Sequence, residues 1–230
     1  MCSSDLWSQV ITNSLEPTAS DEDLAASDAA IDLLVPYLTE IIEHRRGHLG
    51  DDMLSSLITV EEAGDQMTTE ELMAFVVLLY IAGHETTVNL IGNAMLALLR
   101  NPDQLRAVQD TGIDTNGVDE LLRLDGPVQL TVRIPLTEVT YRVGDEDVVI
   151  APGTSVMTSL GGANHDPNLF ADPHTLDLRR ANAQRHMAFA SGIHYCLGAS
   201  LARLEAQEAI SALAQGFSNI ELAKIGRAHV

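Results

Sequence analysis

A long apolar segment between Thr68 and Arg100 constrains the fold of this chain more than any other feature. Thr68 and Glu71 have the spacing of a capping box at a helix N-terminus, and Asn101-Pro102 ends the pattern on the other side. A helix of that length spans roughly 50 Å, at about 1.5 Å per residue. We therefore predict one helix that traverses a whole domain, with shorter elements packed around it.

The remaining pattern predicts a mainly α fold with a small antiparallel β-sheet, an α+β architecture. Apolar residues at helical spacing predict further helices over residues 29–46, 51–60, 102–109, 118–124 and 196–215. Short runs of β-type residues between turn residues predict strands over residues 129–134, 139–143, 148–150 and 155–159. Residues 161–191 have few regular features and predict a loop.

The charge and the apolar runs exclude several classes of partner. The chain has 33 acidic and 13 basic residues and a formal charge of −20, which repels nucleic acid and anionic membranes. The longest apolar run, residues 72–83, is too short to cross a bilayer, and no charged leader precedes a signal-type apolar segment. Two cysteines do not indicate a disulfide framework. We expect a cytoplasmic protein that binds neither nucleic acid nor membrane.

The two ends of the chain mirror each other at the level of DNA. Residues 2–6, Cys-Ser-Ser-Asp-Leu, can be back-translated into codons whose reverse complement encodes Lys-Ile-Gly-Arg-Ala, the string at residues 224–228. A GTG start codon for Met1 pairs in the same way with His229. Such a mirrored pair is typical of sequencing-adapter DNA translated together with a library fragment. We expect residues 1–6 and 224–230 to be non-native, and residues 7–223 to be part of one domain.

One cysteine, Cys196, has neighbours that suit a metal-bound thiolate. It is predicted to lie at the start of a helix, where free N–H groups stabilise a thiolate, and Gly192 and Gly198 would let a flat cofactor approach the backbone. A thiolate ligand on haem iron favours O–O cleavage. For a cysteine taken alone, a structural buried residue is the ordinary alternative. A thiol hydrolase with His194 as base is another, although side chains two residues apart in an extended segment point in opposite directions.

The stretch around Cys196 resembles the signature of the cytochrome P-450 family, in which Phe, Gly, His, Cys and Gly recur at set spacings. Phe189, Gly192, His194, Cys196 and Gly198 fill every place. The resemblance implies that Cys196 is the axial ligand of the iron of haem b. It also implies that His194 contacts a haem propionate and that Phe189 packs beneath the ligand loop.

Four residues in the middle of the long helix resemble the oxygen-binding groove of the same family: Ala82, Gly83, Glu85 and Thr86. A glycine inside a helix costs about 1 kcal/mol relative to alanine, so a compensating role is expected of Gly83. The resemblance implies that Glu85 and Thr86 form an acid-alcohol pair that delivers protons to dioxygen, while Ala82 and Gly83 make room above the haem. Taken alone, the segment is equally consistent with a kinked core helix that carries one solvated acid.

Other positions match the family one at a time. Glu120 and Arg123 lie three residues apart on one predicted helix, and with Arg180 they resemble a buried structural triad of the family. Arg133, on the strand that follows, matches an arginine that binds a propionate. Taken alone, Glu120 and Arg123 would form a surface ion pair and Arg133 would be an exposed strand residue. Ala190 stands where bacterial members usually have glycine. Alanine at this position is expected to stiffen the loop.

These motifs occur in the family's order and resemble the soluble bacterial type, C-terminal part only. The resemblance implies a monooxygenase that inserts one oxygen atom from O2 into an apolar organic substrate, by hydroxylation or epoxidation, with electrons from a ferredoxin or similar partner. Arg179, Arg185 and Arg203 are expected to attract that acidic carrier on the cysteine side. A fragment without catalysis, haem-binding only or inert, stays open as an alternative.

Overall fold

The structure, a computed structural model, describes residues 3–16, 18–62 and 67–222. The chain divides into two compact units, residues 1–86 and 87–230. The predicted non-native residues 1, 2 and 224–230 lie outside the described part. In chain order the elements are α1 (Ser3–Asn13), α2 (Asp21–Arg46), α3 (Met53–Glu62), α4 (Thr69–Arg100), α5 (Pro102–Thr111), α6 (Thr115–Asp125), β1 (Leu130–Arg133), β2 (Val139–Val143), β3 (Glu146–Ile150), β4 (Val156–Ser159), α7 (Leu160–Asn164) and α8 (Ala199–Gly216).

The first unit is built on two apolar clusters that join its helices. In one cluster, Leu34 and Leu38 of α2 are buried with Ile11 of α1, and side chains of the N-terminal half of α4 pack against them. The second cluster consists of Ile42, Ile58 and Leu72, from α2, α3 and α4. Burial of these side chains from several helices, each stabilising by about 1.5–3 kcal/mol, holds the unit together.

Helix α2 begins well before the residue at which apolar periodicity predicts its start. Ser20 and Asp23 form a capping box, because the N–H of Asp23 donates to the Ser20 hydroxyl (3.2 Å) and the N–H of Ser20 donates to the Asp23 carboxylate (2.8 Å). The predicted start at residue 29 was therefore wrong. Local polar capping extends the helix by two turns that have little apolar character. Its predicted end, at basic residues followed by Gly47, is confirmed.

Helix α4 has the predicted start and end. The N–H of Thr68 donates to the Glu71 carboxylate (2.8 Å), and the N–H of Glu71 donates to the Thr68 hydroxyl (3.2 Å), which confirms the capping box. By length and composition alone α4 is also apolar enough to cross a membrane, which the shorter run at residues 72–83 did not indicate. Core helices of soluble proteins meet the same test.

The second unit has a larger core formed by the C-terminal half of α4 with α5, α6 and α8. Its fully buried side chains include Leu98 of α4, Val108 of α5, Leu121 of α6 and Ile210 of α8. Helix α6 begins at the N-cap Asp114, whose carboxylate accepts from the N–H of Gly117 (2.8 Å). This cap places the following turns of α6, and their charged side chains, inside the unit.

Strands form at the four predicted places but in two sheets rather than one. β1 pairs with β4 in antiparallel register, with Leu130 opposite Ser159. β2 and β3 form a separate antiparallel hairpin, whose turn contains Gly144 at φ +59°. The prediction of antiparallel pairing is confirmed, and that of a single sheet was wrong because the hairpin inserts between β1 and β4 along the chain and pairs only with itself.

Candidate functional site

The predicted iron ligand, Cys196, lies in an exposed loop that precedes α8. Its thiol is free, and its N–H donates to the carbonyl of Phe189 at 3.0 Å, which closes the loop. Helix α8 begins at Ala199, with Gly198 as N-cap. The prediction that Cys196 starts the helix was therefore wrong by three residues. The physical reason is that Tyr195, with ψ 134°, has non-helical backbone angles and that the N–H of Cys196 bonds to the carbonyl of Phe189 in the loop.

The turn before Cys196 holds two residues in the left-handed backbone region. Ala190 has φ +57° and Gly192 has φ +72°. The N–H of Ala190 donates to the carbonyl of Met187 (2.8 Å), so the left-handed residue ends a tight turn. A β-carbon is disfavoured there by about 1–2 kcal/mol, a cost that glycine avoids. His194 ends a short 3-10 turn, Gly192–His194, and is exposed.

The surroundings of the Cys196 thiol fit a large, flat, apolar group such as haem. Side chains before and after the cysteine are apolar yet exposed: Ile193 at 96%, Leu197 at 83%, Leu201 at 59% and Leu204 at 56%. A β-carbon added at Gly198 would meet no atom within 4 Å, so a flat group has room to approach the backbone. Large apolar side chains that are exposed and close together in sequence indicate a binding surface. The loop therefore offers a sulfur ligand with apolar cover around it.

The polar residues in the middle of α4 each have a defined partner inside the first unit. The hydroxyl of Ser8 on α1 donates to the Glu85 carboxylate at 2.7 Å, and Ser8 is fully buried. The hydroxyl of Thr86 donates to the carbonyl of Ala82 at 2.7 Å. A β-carbon at Gly83 would meet no atom within 4 Å. The acid and the alcohol are thus consecutive residues of α4, and the helix surface at Gly83 is open. Ser8 lies far away in sequence, and no local pattern predicts its bond to Glu85.

Glu120, Arg123 and Arg180 form a buried ion cluster in the second unit. Glu120 accepts from the Nε of Arg123 at 2.7 Å and from the Nε of Arg180 at 3.0 Å. Nη2 of Arg123 also donates to the Glu120 carboxylate, at 2.9 Å. The terminal nitrogens of both arginines donate further to main-chain carbonyls: Asn164, Ala171, Asp172, Pro173 and Thr175. The cluster thus pins the irregular segment after α7 to α6, and among the described residues every buried side-chain polar atom has a partner.

A second buried acid, Asp119, was missed in the sequence. Its carboxylate accepts from the Nε of Arg203 at 2.7 Å and from the Nε2 of His186 at 3.1 Å. Burial raises the pKa of Asp119, but the hydrogen bonds from His186 and Arg203 outweigh burial and hold that pKa below its usual range. These partners are 67 and 84 positions away in sequence, so no local pattern indicates them.

The pairing of Arg203 corrects one expectation about the surface charge near Cys196. Burial alone would lower the pKa of Arg203, whereas hydrogen bonds with Tyr195 and Asp119 raise it above its ordinary value. Arg203 is therefore engaged in an internal ion pair, with 21% of its side chain exposed, and its charge is less available to a partner than that of an unpaired surface arginine. Arg179 and Arg185 are exposed. Arg133 is exposed on β1, where its guanidinium donates to the carbonyl of Val132 at 2.9 Å.

Known proteins resemble this chain over nearly all of its length. The sequence model of the family described as "Cytochrome P450" matches residues 8–111 and 115–223. Cytochrome P450 107B1 of Saccharopolyspora erythraea is 42% identical over 218 residues, which cover 94% of this chain and 51% of that protein. Cytochrome P450 monooxygenase PikC of Streptomyces venezuelae is 43% identical, and the match covers 87% of this chain and 48% of that protein.

Solved structures agree with these relatives. The crystal structure of P450BioI in complex with hexadec-9Z-enoic acid ligated Acyl Carrier Protein superposes with a TM-score of 0.85 at 37% identity, over 96% of this chain and 56% of that one. The chain spans about half the length of the curated relatives it matches. The matched residues include the loop of Cys196, the polar centre of α4 and the ion cluster on α6. The chain therefore belongs to the cytochrome P450 family.

Proposed function

We propose that the whole protein is a haem-dependent monooxygenase that inserts one oxygen atom from O2 into an apolar organic substrate, with Cys196 as the thiolate ligand of haem b. One observation carries this proposal: an exposed thiol surrounded by exposed apolar side chains, at the signature position of a family whose relatives include a named monooxygenase. Membership of the family implies haem.

Several residues of this chain would hold the cofactor. Haem supplies the redox chemistry that activates dioxygen, and a thiolate ligand favours O–O cleavage. Cys196 provides the sulfur, and Gly192 and Gly198 leave the backbone open to the macrocycle. His194 and Arg133 are proposed to bind the propionates through their nitrogens. Phe189 is proposed to support the loop from beneath, because its side chain is buried and its carbonyl accepts from the N–H of Cys196.

The centre of α4 is proposed to supply protons and space. Glu85 is half-buried and holds a hydrogen bond from Ser8, so its carboxylate has a fixed position from which to take or release a proton. The Thr86 hydroxyl, oriented by the carbonyl of Ala82, can accept one hydrogen bond while it donates another. The open space beside Gly83 leaves room for dioxygen and substrate.

We propose a cytoplasmic location and a ferredoxin or similar acidic protein as the electron donor. Arg179 and Arg185 are the exposed cations nearest in sequence to the cysteine loop and would attract such a carrier in an otherwise acidic protein. The double reversal Arg179→Glu and Arg185→Glu should slow reduction by ferredoxin at low salt, and less so at high salt. The matched control is Arg142→Glu, on the β2–β3 hairpin. Equal rates in all three proteins would refute this docking surface.

The test of the proposed function is a haem titration of this chain beside its Cys196→Ser variant. The spectrum of the reduced, carbon monoxide-bound form reports the ligand. A strongly red-shifted Soret band in the parent chain, absent from the variant, is the expected result. The same band in both proteins would show that another residue binds the iron and would overturn the assignment of Cys196.

A fragment without catalysis is the second candidate, and the span of the chain, about half of its relatives, favours it. Such a fragment either binds haem without turnover or is inert. The two candidates are distinguished by measuring O2-dependent consumption of NAD(P)H in the presence of a redox partner. The full-length protein should show this consumption and the fragment should not. Absence of consumption in the full-length protein as well would overturn the monooxygenase proposal.

A further inference from the structure

We infer that Asp119, His186 and Arg203 form a positioning network that holds the loop of Cys196 in its ligand-binding conformation. The inference rests on the proposed function, because the loop has that role only if Cys196 binds haem iron. The three residues come from α6, from the segment before the loop and from α8, and both contacts that join them lie within the second unit. None of them belongs to the Glu120 cluster, although Asp119 is its neighbour on α6.

His186 connects Asp119 to the beginning of the loop. Its Nε2 lies 3.1 Å from the Asp119 carboxylate, which only accepts hydrogen bonds when charged, so Nε2 carries the proton. Nδ1 of the neutral ring is then an acceptor, and the N–H of Ala188 donates to it at 3.0 Å. The carboxylate therefore sets the tautomer that can bind the main chain of the loop. The His186 ring also packs 5.5 Å from the ring of Phe189, the first residue of the signature.

Arg203 connects the same carboxylate to the end of the loop. Its guanidinium carbon lies over the Phe189 ring at 4.6 Å from the centroid, an arrangement that favours a cation. One terminal nitrogen lies 3.5 Å from the Tyr195 hydroxyl and 3.5 Å from the carbonyl of Ala199. Tyr195 and Ala199 lie on either side of Cys196 in sequence. Asp119 thus holds both ends of the segment that carries the thiol.

The N-terminus of α8 accounts for only part of the position of the cysteine. Cys196 precedes the first residue of α8, whose N–H donates to the carbonyl of Cys196 at 3.3 Å. The helix thus holds the carbonyl of the cysteine, and the N–H of the cysteine is held from the other side of the loop. The main-chain bond that spans the loop runs from the N–H of Cys196 to the carbonyl of Phe189, and Phe189 is the residue that His186 and Arg203 both contact. A shift of the Phe189 backbone would move the donor and acceptor of that bond apart.

Amide hydrogen exchange of this chain without haem tests the network independently of the cofactor. We expect Arg203→Met to accelerate exchange at Ala188 and Cys196 at least tenfold relative to Ile210 in the core of α8. Arg106→Met, which removes an exposed arginine of α5, is the matched control and should change neither ratio. Uniform acceleration at all three amides would show that Arg203 stabilises the unit as a whole and would overturn the inference.

Two substitutions of His186 separate its contacts. In His186→Asn the amide oxygen can replace Nδ1 as acceptor for Ala188, whereas in His186→Gln the amide nitrogen can replace Nε2 as donor to Asp119. The inference requires the bond from the N–H of Ala188. We therefore expect His186→Asn to retain protection from amide exchange at Ala188 and Cys196, and His186→Gln to lose it. Equal protection in both variants would contradict the requirement for the Ala188 bond.

The spectrum of the haem-loaded chain tests the link to ligand binding. Arg203→Met should shift part of the reduced, carbon monoxide-bound form from the thiolate band to the thiol band, and Arg203→Lys, which keeps the charge, should restore part of it. An unchanged band ratio with altered amide exchange would show that the network orders the loop without affecting the ligand. Failure of the parent chain to show the thiolate band would count against the proposed function, whereas the amide results would still stand.

Discussion

The hydroxyl of Thr86 donates a hydrogen bond to the carbonyl oxygen of Ala82, one helical turn earlier in α4, at 2.7 Å. Such a bond back to the helix occupies the only hydrogen of the hydroxyl and leaves its oxygen free to accept. A hydroxyl in this state can accept a hydrogen bond from the side that faces away from the helix. To pass its own hydrogen to any acceptor other than the Ala82 carbonyl, the hydroxyl must rotate. The rotation of Thr86 is thus part of any relay through it.

Replacement of Thr86 by alanine should uncouple electron consumption from product in the full-length protein. We expect product formed per NAD(P)H to fall by about an order of magnitude or more, because a positioned proton donor is lost, while peroxide rises. Thr87→Ala is the matched control, since the Thr87 hydroxyl lies 3.4 Å from Glu205 and takes no part in the proposed pair. The ratio of product to NAD(P)H and the yield of H2O2 measure the effect. An unchanged ratio for Thr86→Ala would exclude the hydroxyl from the relay.

Loss of the charge of Glu120 should strongly destabilise the second unit. In Glu120→Gln, two buried guanidinium groups lose the one carboxylate that they share. We expect the free energy of unfolding to fall by about 3–5 kcal/mol, the usual effect of breaking a buried ion pair on one side. Urea denaturation measures it, with Glu208→Gln on the exposed side of α8 as the control, expected to stay within about 0.5 kcal/mol. A loss equal to that of the control would mean that the surrounding carbonyls suffice for both arginines.

The second unit should lose stability in acid through Asp119. Burial raises the pKa of this carboxyl, but the bonds from His186 and Arg203 together lower it by more, so its folded-state pKa lies below its ordinary value. Its contribution is then complete above about pH 4, near the pKa in the unfolded chain, and disappears as the pH falls through the folded-state pKa. The urea midpoint should drop over this range, and more gently in Asp119→Asn than in an Asp110→Asn control. If the urea midpoints of both variants fall in parallel with pH, the acid sensitivity comes from other carboxyls.

Replacement of Ala190 by glycine should stabilise the loop slightly. The alanine has φ +57°, where a β-carbon destabilises the folded state by about 1–2 kcal/mol, and glycine removes this cost. Glycine also makes the unfolded chain more flexible, which offsets about 0.4–1 kcal/mol of that gain. We expect a net gain of about 0.5 kcal/mol in the free energy of unfolding. Ala181→Gly, at a position without positive φ, should instead lose about 0.4–1 kcal/mol. Thermal or urea unfolding of both variants shows whether the two signs differ.

The mirrored ends of the chain make a prediction about the gene rather than the protein. Resequencing of the source DNA across both junctions should show that the codons of residues 1–6 and 224–230 are replaced by different codons in the gene. Reads that continue through both junctions with the codons for Cys-Ser-Ser-Asp-Leu and Lys-Ile-Gly-Arg-Ala would show that these residues are native. The family match, which covers residues 8–111 and 115–223, does not include them.

The parts of the fold that depend on local chemistry were predictable from the sequence, and the parts that depend on distant partners were not. The capping box of Thr68 and Glu71 needs only residues that lie within one turn, so the start of α4 could be predicted. Helix α7 was missed because Leu160–Asn164 is too short for an apolar period to appear, and it is capped by the Ser159 hydroxyl. The four strands and their antiparallel pairing were predictable, but not the division into two sheets, because β1 and β4 pair across the intervening hairpin.

The same distinction applies to the candidate site. The positions of Cys196 and Gly198 in the loop come from a contiguous motif, which a sequence displays directly. The Ser8 bond to Glu85 and the Asp119 bonds to His186 and Arg203 join segments that are far apart, and serine, histidine and arginine at those places have no local pattern that marks them. The pairing of Arg180 with Glu120, 60 positions apart, was predicted only from the resemblance to the family. Sequence spacing alone predicts that Glu120 pairs with Arg123.

Two neighbouring acids on α6, Asp119 and Glu120, also bear on how the second unit folds. Their long-range partners lie in segments 60, 67 and 84 positions later in the chain. Until those segments arrive, burying α6 would strand two carboxylates without full compensation, which is strongly unfavourable. The core can therefore close only together with the loops, and we expect partially closed states to be scarce, so that unfolding of the unit follows a single cooperative transition.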